Sequence, residues 1–390
     1  MKTFDVVVVG GGLIGSAIAF ELAGQKLRVA LLDRQQPGRE ASWAAAGMLS
    51  PGPDSPAGLA LVPLGKESLR LYPDFVSAIE EASGKTVAFT HQGTLEIFDG
   101  PDGSARRDRL LARHAELGLP AELISGESAR SIESALNPGV DAIAWLPGEA
   151  VVDPRILVDA TLAAATNRGV EIRASCAATA VLGKADRCTG VIVGGQKIAS
   201  EHVVIAAGSF CGSVDGDSVP NAIRVSRYAP TQPIRGQMIA MRSSKVKLKR
   251  VLRSEHGYIV PRTDGRIIAG STLENAGFVK DTTATGLQSI LDAAIALAPS
   301  LAGAEILETW AGLRPGTPDH LPIVGPTDIR GLLVATGHYR NGILLAPVTA
   351  KLIREWMVDG KTTFSAERFS PLRFSETSRG ASAKTGTALS

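Results

Sequence analysis

Apolar positions follow two different rhythms at the start of this chain. Residues 4–9, FDVVVV, are a continuous apolar, β-branched run of the kind found in a parallel strand covered on both faces. Ile14, Ala17, Ile18 and Leu22 then recur at helical spacing and predict a helix from Leu13 to Ala23. LRVALLD, residues 27–33, is a second buried run that ends in an acid. Strand, glycine turn, helix and strand within about 30 residues make one βαβ unit.

Farther along, residues 50–65, SPGPDSPAGLALVPLG, are rich in proline and glycine and predict a loop leaving that unit. Helical stretches follow near 67–83 and 105–117, then a crossover from Asp153 to Arg168 in DPRILVDATLAAATNR. EHVVIAAG, residues 201–208, predicts a strand ending in glycine. From about 225 to 325 the pattern changes to short strands with turns, among them the hairpin YIVPR-TDG-RIIAGST. A last βα unit occupies residues 331–357, with Pro347 tolerated in the first turn of its helix. The polar tail beyond about Pro371 is expected to be disordered. No internal repeat is visible.

The chain of 390 residues predicts two or three compact units. Its 44% hydrophobic and 21% charged content excludes disorder and a collagen-like fibre. With 41 basic and 39 acidic residues the net charge is +2, and no long basic block marks a nucleic-acid or anionic-membrane surface. A small neutral or zwitterionic partner is the expectation. Cys176, Cys188 and Cys211 are widely spaced without a C-x-x-C pair, which leaves a disulfide framework, a zinc site and a dithiol motif unsupported. They fit a reducing cytosol, so a cytoplasmic location is expected. The N-terminal apolar run is short and leads straight into glycines, so it reads as a strand and not as a signal peptide. No stretch is long and apolar enough to span a bilayer.

Gly10, Gly12 and Gly15 spell G-x-G-x-x-G between strand and helix. The first allows the tight turn, the second lets backbone approach a pyrophosphate, and the third lets helix pack on strand. The helix N-terminus then faces phosphate charge. Asp33 ends the second strand, where a carboxylate can accept hydrogen bonds from ribose hydroxyls. FAD and NAD share this fingerprint. REASWAAAGMLS, residues 39–50, offers small side chains for close passage of a long cofactor and a Ser42 hydroxyl for phosphate, a feature a nicotinamide enzyme does not need. No second fingerprint follows, so the electrons of a bound flavin are expected to come directly from the substrate. The positive end of the last helix, with amides of the loop GHYRNGILLA, can stabilise negative charge on reduced flavin.

VVVVGGGLIGSAIA, SWAAAGML, YIVPR, WAGLRPGTPD and GHYRNGILLAP occur in one order along the chain. This series resembles the FAD-dependent D-amino acid oxidase group and, within it, the glycine oxidase branch tied to thiamine biosynthesis, over nearly the whole chain to about residue 370. The resemblance implies an α/β fold: a Rossmann-like FAD domain of the glutathione-reductase type, and a substrate domain of mixed, mainly antiparallel β-sheet plus helices. We expect the FAD domain in 1–85, 145–220 and 315–370 and the substrate domain in 86–144 and 221–314, with a disordered tail at 372–390. The implied reaction is oxidation of glycine, sarcosine or small D-amino acids by O2 in a homo-oligomer, a tetramer among the options, with FAD noncovalent.

Carried residue by residue, the resemblance puts FAD contacts at Gly10, Gly12, Leu13, Ile14, Gly15, Asp33, Arg34, Ser42, Ala46, Gly47 and Met48. Others fall on Ala178, Gly208, His338, Arg340, Asn341, Gly342, Ile343 and Leu344. Substrate contacts fall on Arg314, Arg340, Tyr258 and His256. Phe210 replaces a tryptophan common in the family, the segment 211–231 is unusual, and Leu273 and Ser50 sit where relatives vary.

The residues support these roles and leave others open. Arg314 in AGLRPG can grip an α-carboxylate with two parallel hydrogen bonds, though a loop arginine on the surface has the same sequence signature. Period two puts Tyr258, Val260 and Arg262 on one face, with Tyr258 either a second carboxylate donor or a packing tyrosine. His256 serves the site or the structure, and Arg340 serves flavin or substrate. A deprotonated amine with its α C–H towards flavin can lose hydride directly, without a dedicated base. No G-x-S-x-G elbow or metal-spaced histidine cluster points to hydrolysis, and no metal is expected. The competing readings are a D-amino acid or sarcosine oxidase, a dehydrogenase using another acceptor, and a flavin-binding module without catalysis.

Overall fold

The computed structural model describes residues 3–53 and 57–374. Strand β1 (Phe4–Val9), helix α1 (Leu13–Gly24) and strand β2 (Val29–Leu32) form the expected βαβ unit, with β1 and β2 parallel. The reason for the continuous valine run is visible in the packing. Val6 and Val8 enter the core under α1, while Val7 and Val9 enter a separate core on the opposite face. Every valine from Val6 to Val9 is at most 5% exposed, and each contributes about 1.5 kcal/mol or more by burial.

β1 is central in a nine-stranded sheet. It lies between β2 and the strand Gln196–Ile205, both parallel to it, and Gln196–Ile205 pairs in turn with Leu332–Thr336, again parallel. An antiparallel meander of Ala178–Lys184, Arg187–Val193 and Gln196–Ile205 extends one edge. The crossover helix Pro154–Asn167 begins where Asp153 accepts backbone N–H bonds from Arg155 (3.0 Å) and Ile156 (3.4 Å).

A second, eight-stranded sheet is antiparallel except where Val251–Ser254 runs parallel to Thr94–Ile97. Its long strands Gln232–Arg242 and Glu305–Gly316 correct the expectation of short strands between 225 and 325. Helix Ala284–Leu297, also inside that interval, packs Ile290, Ala294 and Leu297 against the Ile239 and Ile259 face. The opposite face carries Met238, Tyr258, Val260 and Trp310. This alternation along Gly257–Pro261 is the one that period two predicts. The expected hairpin closes with the Arg262 N–H donating to the Arg266 carbonyl (2.8 Å).

The proline-rich stretch 50–65 is only partly loop. Asp54, Ser55 and Pro56 lie outside the described residues, and helix α3 starts at Val62, with Pro63 in its first turn, and runs to Ser83. Of the tail, 375–390 lie outside the described residues, whereas Arg373 pairs with Asp319 (2.8 Å). Among the described residues no helix is long and apolar enough to cross a membrane.

Candidate active site

A cavity of about 910 Å3 opens between the two large sheets, at the upper end of the range for small-molecule sites. Its walls combine Val9, Leu32 and Ala206, at the carboxyl ends of the parallel strands, with Met238 and Tyr258 from the second sheet. Ligands of open α/β sheets bind at those strand ends.

At the βαβ end, Gly10 has φ of +107°, and a Cβ there would run into the Ala206 carbonyl. A Cβ on Gly15 would overlap the Gly10 carbonyl oxygen, and one on Gly12 would lie 3.2 Å from the Ser42 hydroxyl. Turn, helix and neighbouring loop are therefore closed tightly around a ledge of bare backbone. Gly11 N–H donates to Asp33 Oδ2 (2.8 Å) and Gln35 N–H to Asp33 Oδ1 (2.9 Å). Each carboxylate oxygen keeps a lone pair for a ribose hydroxyl. Ser42, on the short helix α2 (Ala41–Ala44), accepts from Leu13 N–H (2.9 Å), which leaves its own proton to donate.

Gly10, Gly12, Ile14, Asp33, Arg34 and Ser42 line this end of the cavity. Ala46, Gly47, Met48, Ala178 and Gly208 line it too. Leu13 and Gly15 stand behind the wall: Leu13 is buried under β1, and Gly15 is the contact that lets α1 seat. Arg34 lies over the Phe210 ring (3.4 Å) and pairs with Glu40 (2.6 Å). Phe210 also stacks on Phe278 (4.9 Å). In the unusual segment that follows, Asp215 accepts from Ser226 N–H (2.7 Å) and from the Ser226 hydroxyl (2.5 Å).

The loop before the last helix (Ala346–Val358) contributes His338, Arg340, Asn341, Gly342 and Ile343 to the wall. Leu344 points away, into the core below α3. That helix fixes the loop through buried bonds: Tyr72 donates to the Ile343 carbonyl (2.8 Å) and Ser68 to the Leu344 carbonyl (2.6 Å). His338 meets Thr349 at 3.0 Å, and burial pushes its pKa down to about 3, so the ring stays neutral. Tyr339 holds the turn at φ of +50°.

Arg314 lies on Glu305–Gly316 and is not a surface loop residue. Its Nη2 donates to Ser271 (2.7 Å) and its Nη1 to the Thr272 carbonyl (3.2 Å), and the glycine at position 236 leaves room for the guanidinium. Burial, and then the Arg340 charge, lower its pKa from the ordinary guanidinium value, while Tyr258 beside it opposes that shift. A desolvated cation held this way gains strongly from a carboxylate partner. Tyr258 also donates to Met238 Sδ (3.4 Å).

His256 sits in the turn between Val251–Ser254 and Gly257–Pro261, with its side chain 65% exposed and 4.0 Å from Asp99. It touches the cavity rim. Sequence reading missed Ser271 and Gly236, which seat Arg314, and the buried charges Glu96, Glu149 and Arg253 on the same cavity. Cys176, remote in sequence from the flavin loop, lines the cavity as well.

The cavity, the glycine ledge, the Asp33 carboxylate and the available Ser42 proton fit an extended dinucleotide such as FAD. The sequence model of the family described as "FAD dependent oxidoreductase" matches residues 5–356. The bifunctional protein ThiO/ThiG of Trichormus variabilis is 36% identical over 95% of this chain and 55% of its own length. This chain thus spans about half the length of the bifunctional relatives it matches. Glycine oxidase of Pseudomonas putida is 32% identical over 94% of this chain and 98% of that protein. The crystal structure of glycine oxidase from Geobacillus kaustophilus superposes with a TM-score of 0.89 at 30% identity, covering 96% of this chain and 99% of that one. By its matched length and by these relatives, the chain belongs to the FAD-dependent oxidoreductase family that includes the glycine oxidases.

Proposed function

We propose that the protein oxidatively deaminates glycine and other small amines such as sarcosine and small D-amino acids. The observation that carries this is Arg314, a desolvated guanidinium beside Tyr258 in the same cavity as the glycine ledge. FAD, held by the residues named below, would supply the two-electron acceptor for hydride from the substrate α-carbon, with O2 as the final oxidant, reduced to H2O2. The resulting imine takes up water and yields the oxo acid with ammonia, or with methylamine where the substrate is sarcosine.

The chain's own residues bind and orient. Arg314 takes the α-carboxylate with two parallel N–H donors, and Tyr258 adds a third when its hydroxyl proton turns from Met238 Sδ to the carboxylate. Arg340 adds positive charge to the same end. With the carboxylate pinned, the amine and α C–H have few remaining orientations, and a neutral amine needs no protein base. Asp33, Ser42 and the N-terminus of α1 would hold ribose and phosphates, and the loop 338–343 would flank the flavin. In this reading FAD belongs with 1–85, 145–220 and 315–370, and substrate with 86–144 and 221–314. The three free cysteines agree with a reducing cytoplasm.

The test is the visible spectrum of the purified protein under anaerobic addition of glycine, sarcosine and D-alanine, followed by air. Bleaching by an amine, with recovery and peroxide in air, supports the oxidase. A yellow protein that no amine bleaches rules it out, and bleaching without recovery in air favours a dehydrogenase with another acceptor.

A further inference from the structure

One flank of the cavity carries charges that this reaction does not use. Strand Val251–Ser254 sets Arg253 opposite Tyr258 on one neighbouring strand and opposite Glu96 on the other. Residues paired in this way project to the same face. Tyr258, Arg253 and Glu96 therefore form one row, and all three line the cavity.

Arg253 is held by its neighbours through four of its five N–H donors. Its Nε donates to Glu96, its Nη1 to Glu149 (3.2 Å) and Ser50 (3.3 Å), and its Nη2 to Glu149 (3.1 Å). The Ser50 hydroxyl donates to Glu149 as well. Side-chain exposure is 20% for Arg253, 14% for Glu96 and 7% for Glu149. Burial pushes the Glu96 carboxyl up and Arg253 opposes it. With Glu96 in either form, Arg253 has no positive charge left over.

A simple amino acid brings one carboxylate, for which Arg314 is in place. A substrate with a second carboxylate needs a second cation nearby. Arg253, one strand from Tyr258, is in position for that task, and two carboxylates already hold it.

We infer that the Glu149–Arg253–Glu96 triad is a specificity device that excludes dicarboxylic substrates and ligands from the site. This rests on the amino acid oxidase reading above. The triad keeps its cation for itself, and its carboxylates repel a second anionic group. Glu149 and Glu96 act through Arg253 and the local field, without touching the reacting atoms.

The experiment compares flavin-loaded wild type, Glu149→Gln and Glu96→Gln by two readouts. One is kcat/KM for D-aspartate relative to D-alanine, and the other is affinity for malonate relative to acetate, read from perturbation of the flavin absorbance. Glu149→Gln is expected to raise both ratios by about tenfold or more, the scale of one charge removed a few ångströms away at intermediate dielectric. Glu96→Gln should raise them less, and it carries the test if Glu149→Gln does not fold. Unchanged ratios in folded, flavin-loaded variants would overturn the inference while leaving the oxidase reading intact, as would a wild type that takes D-aspartate as readily as D-alanine. If no amine reduces the wild type but the malonate ratio shifts in the variants, the reaction is wrong and the charge barrier stands.

Discussion

Gly236 and Arg314 lie on paired strands, and a Cβ built on Gly236 would occupy the space of the Arg314 guanidinium. The arginine can reach Ser271 and Thr272 only because position 236 has no side chain. Gly236→Ala is therefore expected to displace the guanidinium and lower kcat/KM for glycine by about 100-fold, the scale of a misplaced binding group. Flavin content and melting temperature should change little. Steady-state kinetics beside an absorbance spectrum checks this; wild-type kinetics in the variant would mean that Arg314 does not hold the substrate.

The glycine ledge makes a separate prediction about cofactor. A Cβ on Gly15 would collide with the Gly10 carbonyl and push α1 away from β1. Gly15→Ala should purify colourless or with FAD affinity reduced by about 100-fold or more, since the ledge and helix N-terminus move together. Measuring FAD per chain decides it, and full flavin loading would remove the ledge from the binding site.

Acid stability should report His338. Its ring is buried and neutral with a pKa of about 3, below the ordinary value of 6.5 for an unfolded histidine. Between those two values the unfolded chain binds one more proton than the folded chain, so this residue's contribution is full above pH 6.5 and falls as pH drops towards 3. The slope it adds is at most about 1.4 kcal/mol per pH unit. His338→Gln should flatten the dependence of denaturant midpoint on pH across that window, and an unchanged slope would show that the histidine does not enter the balance.

Thiol chemistry should separate the cysteines. Cys188 and Cys211 are buried, and burial raises both thiols, that of Cys211 to about 11. Cys176 is half-buried on the cavity wall, where its backbone N–H donates to the Asp33 carbonyl (2.7 Å). Iodoacetamide at neutral pH should label Cys176 before the other two, and added FAD should slow that labelling. Peptide mapping reads both effects; equal labelling of all three would contradict the burial pattern.

Local sequence determined the parts of this protein whose physics is local. Four valines in a row had to be buried on both faces, three glycines at fixed offsets had to turn tightly, and Asp33 followed at the end of the next strand. The loop 338–343 was legible for the same reason, because it joins one strand to the next helix without a long excursion. Tertiary structure decided what depends on distant pairing. Arg253 meets Glu149 and Glu96 across separations of 104 and 157 residues, and no periodicity encodes such a meeting. Gly236 is an ordinary glycine until the strand bearing Arg314 is laid beside it. The proline-rich stretch hid the start of α3, since Pro63 sits in the first turn, where its missing N–H costs nothing. Leu13 and Leu344 matched the family pattern, but which way a side chain faces is set by the core it enters, and both enter the core behind the wall.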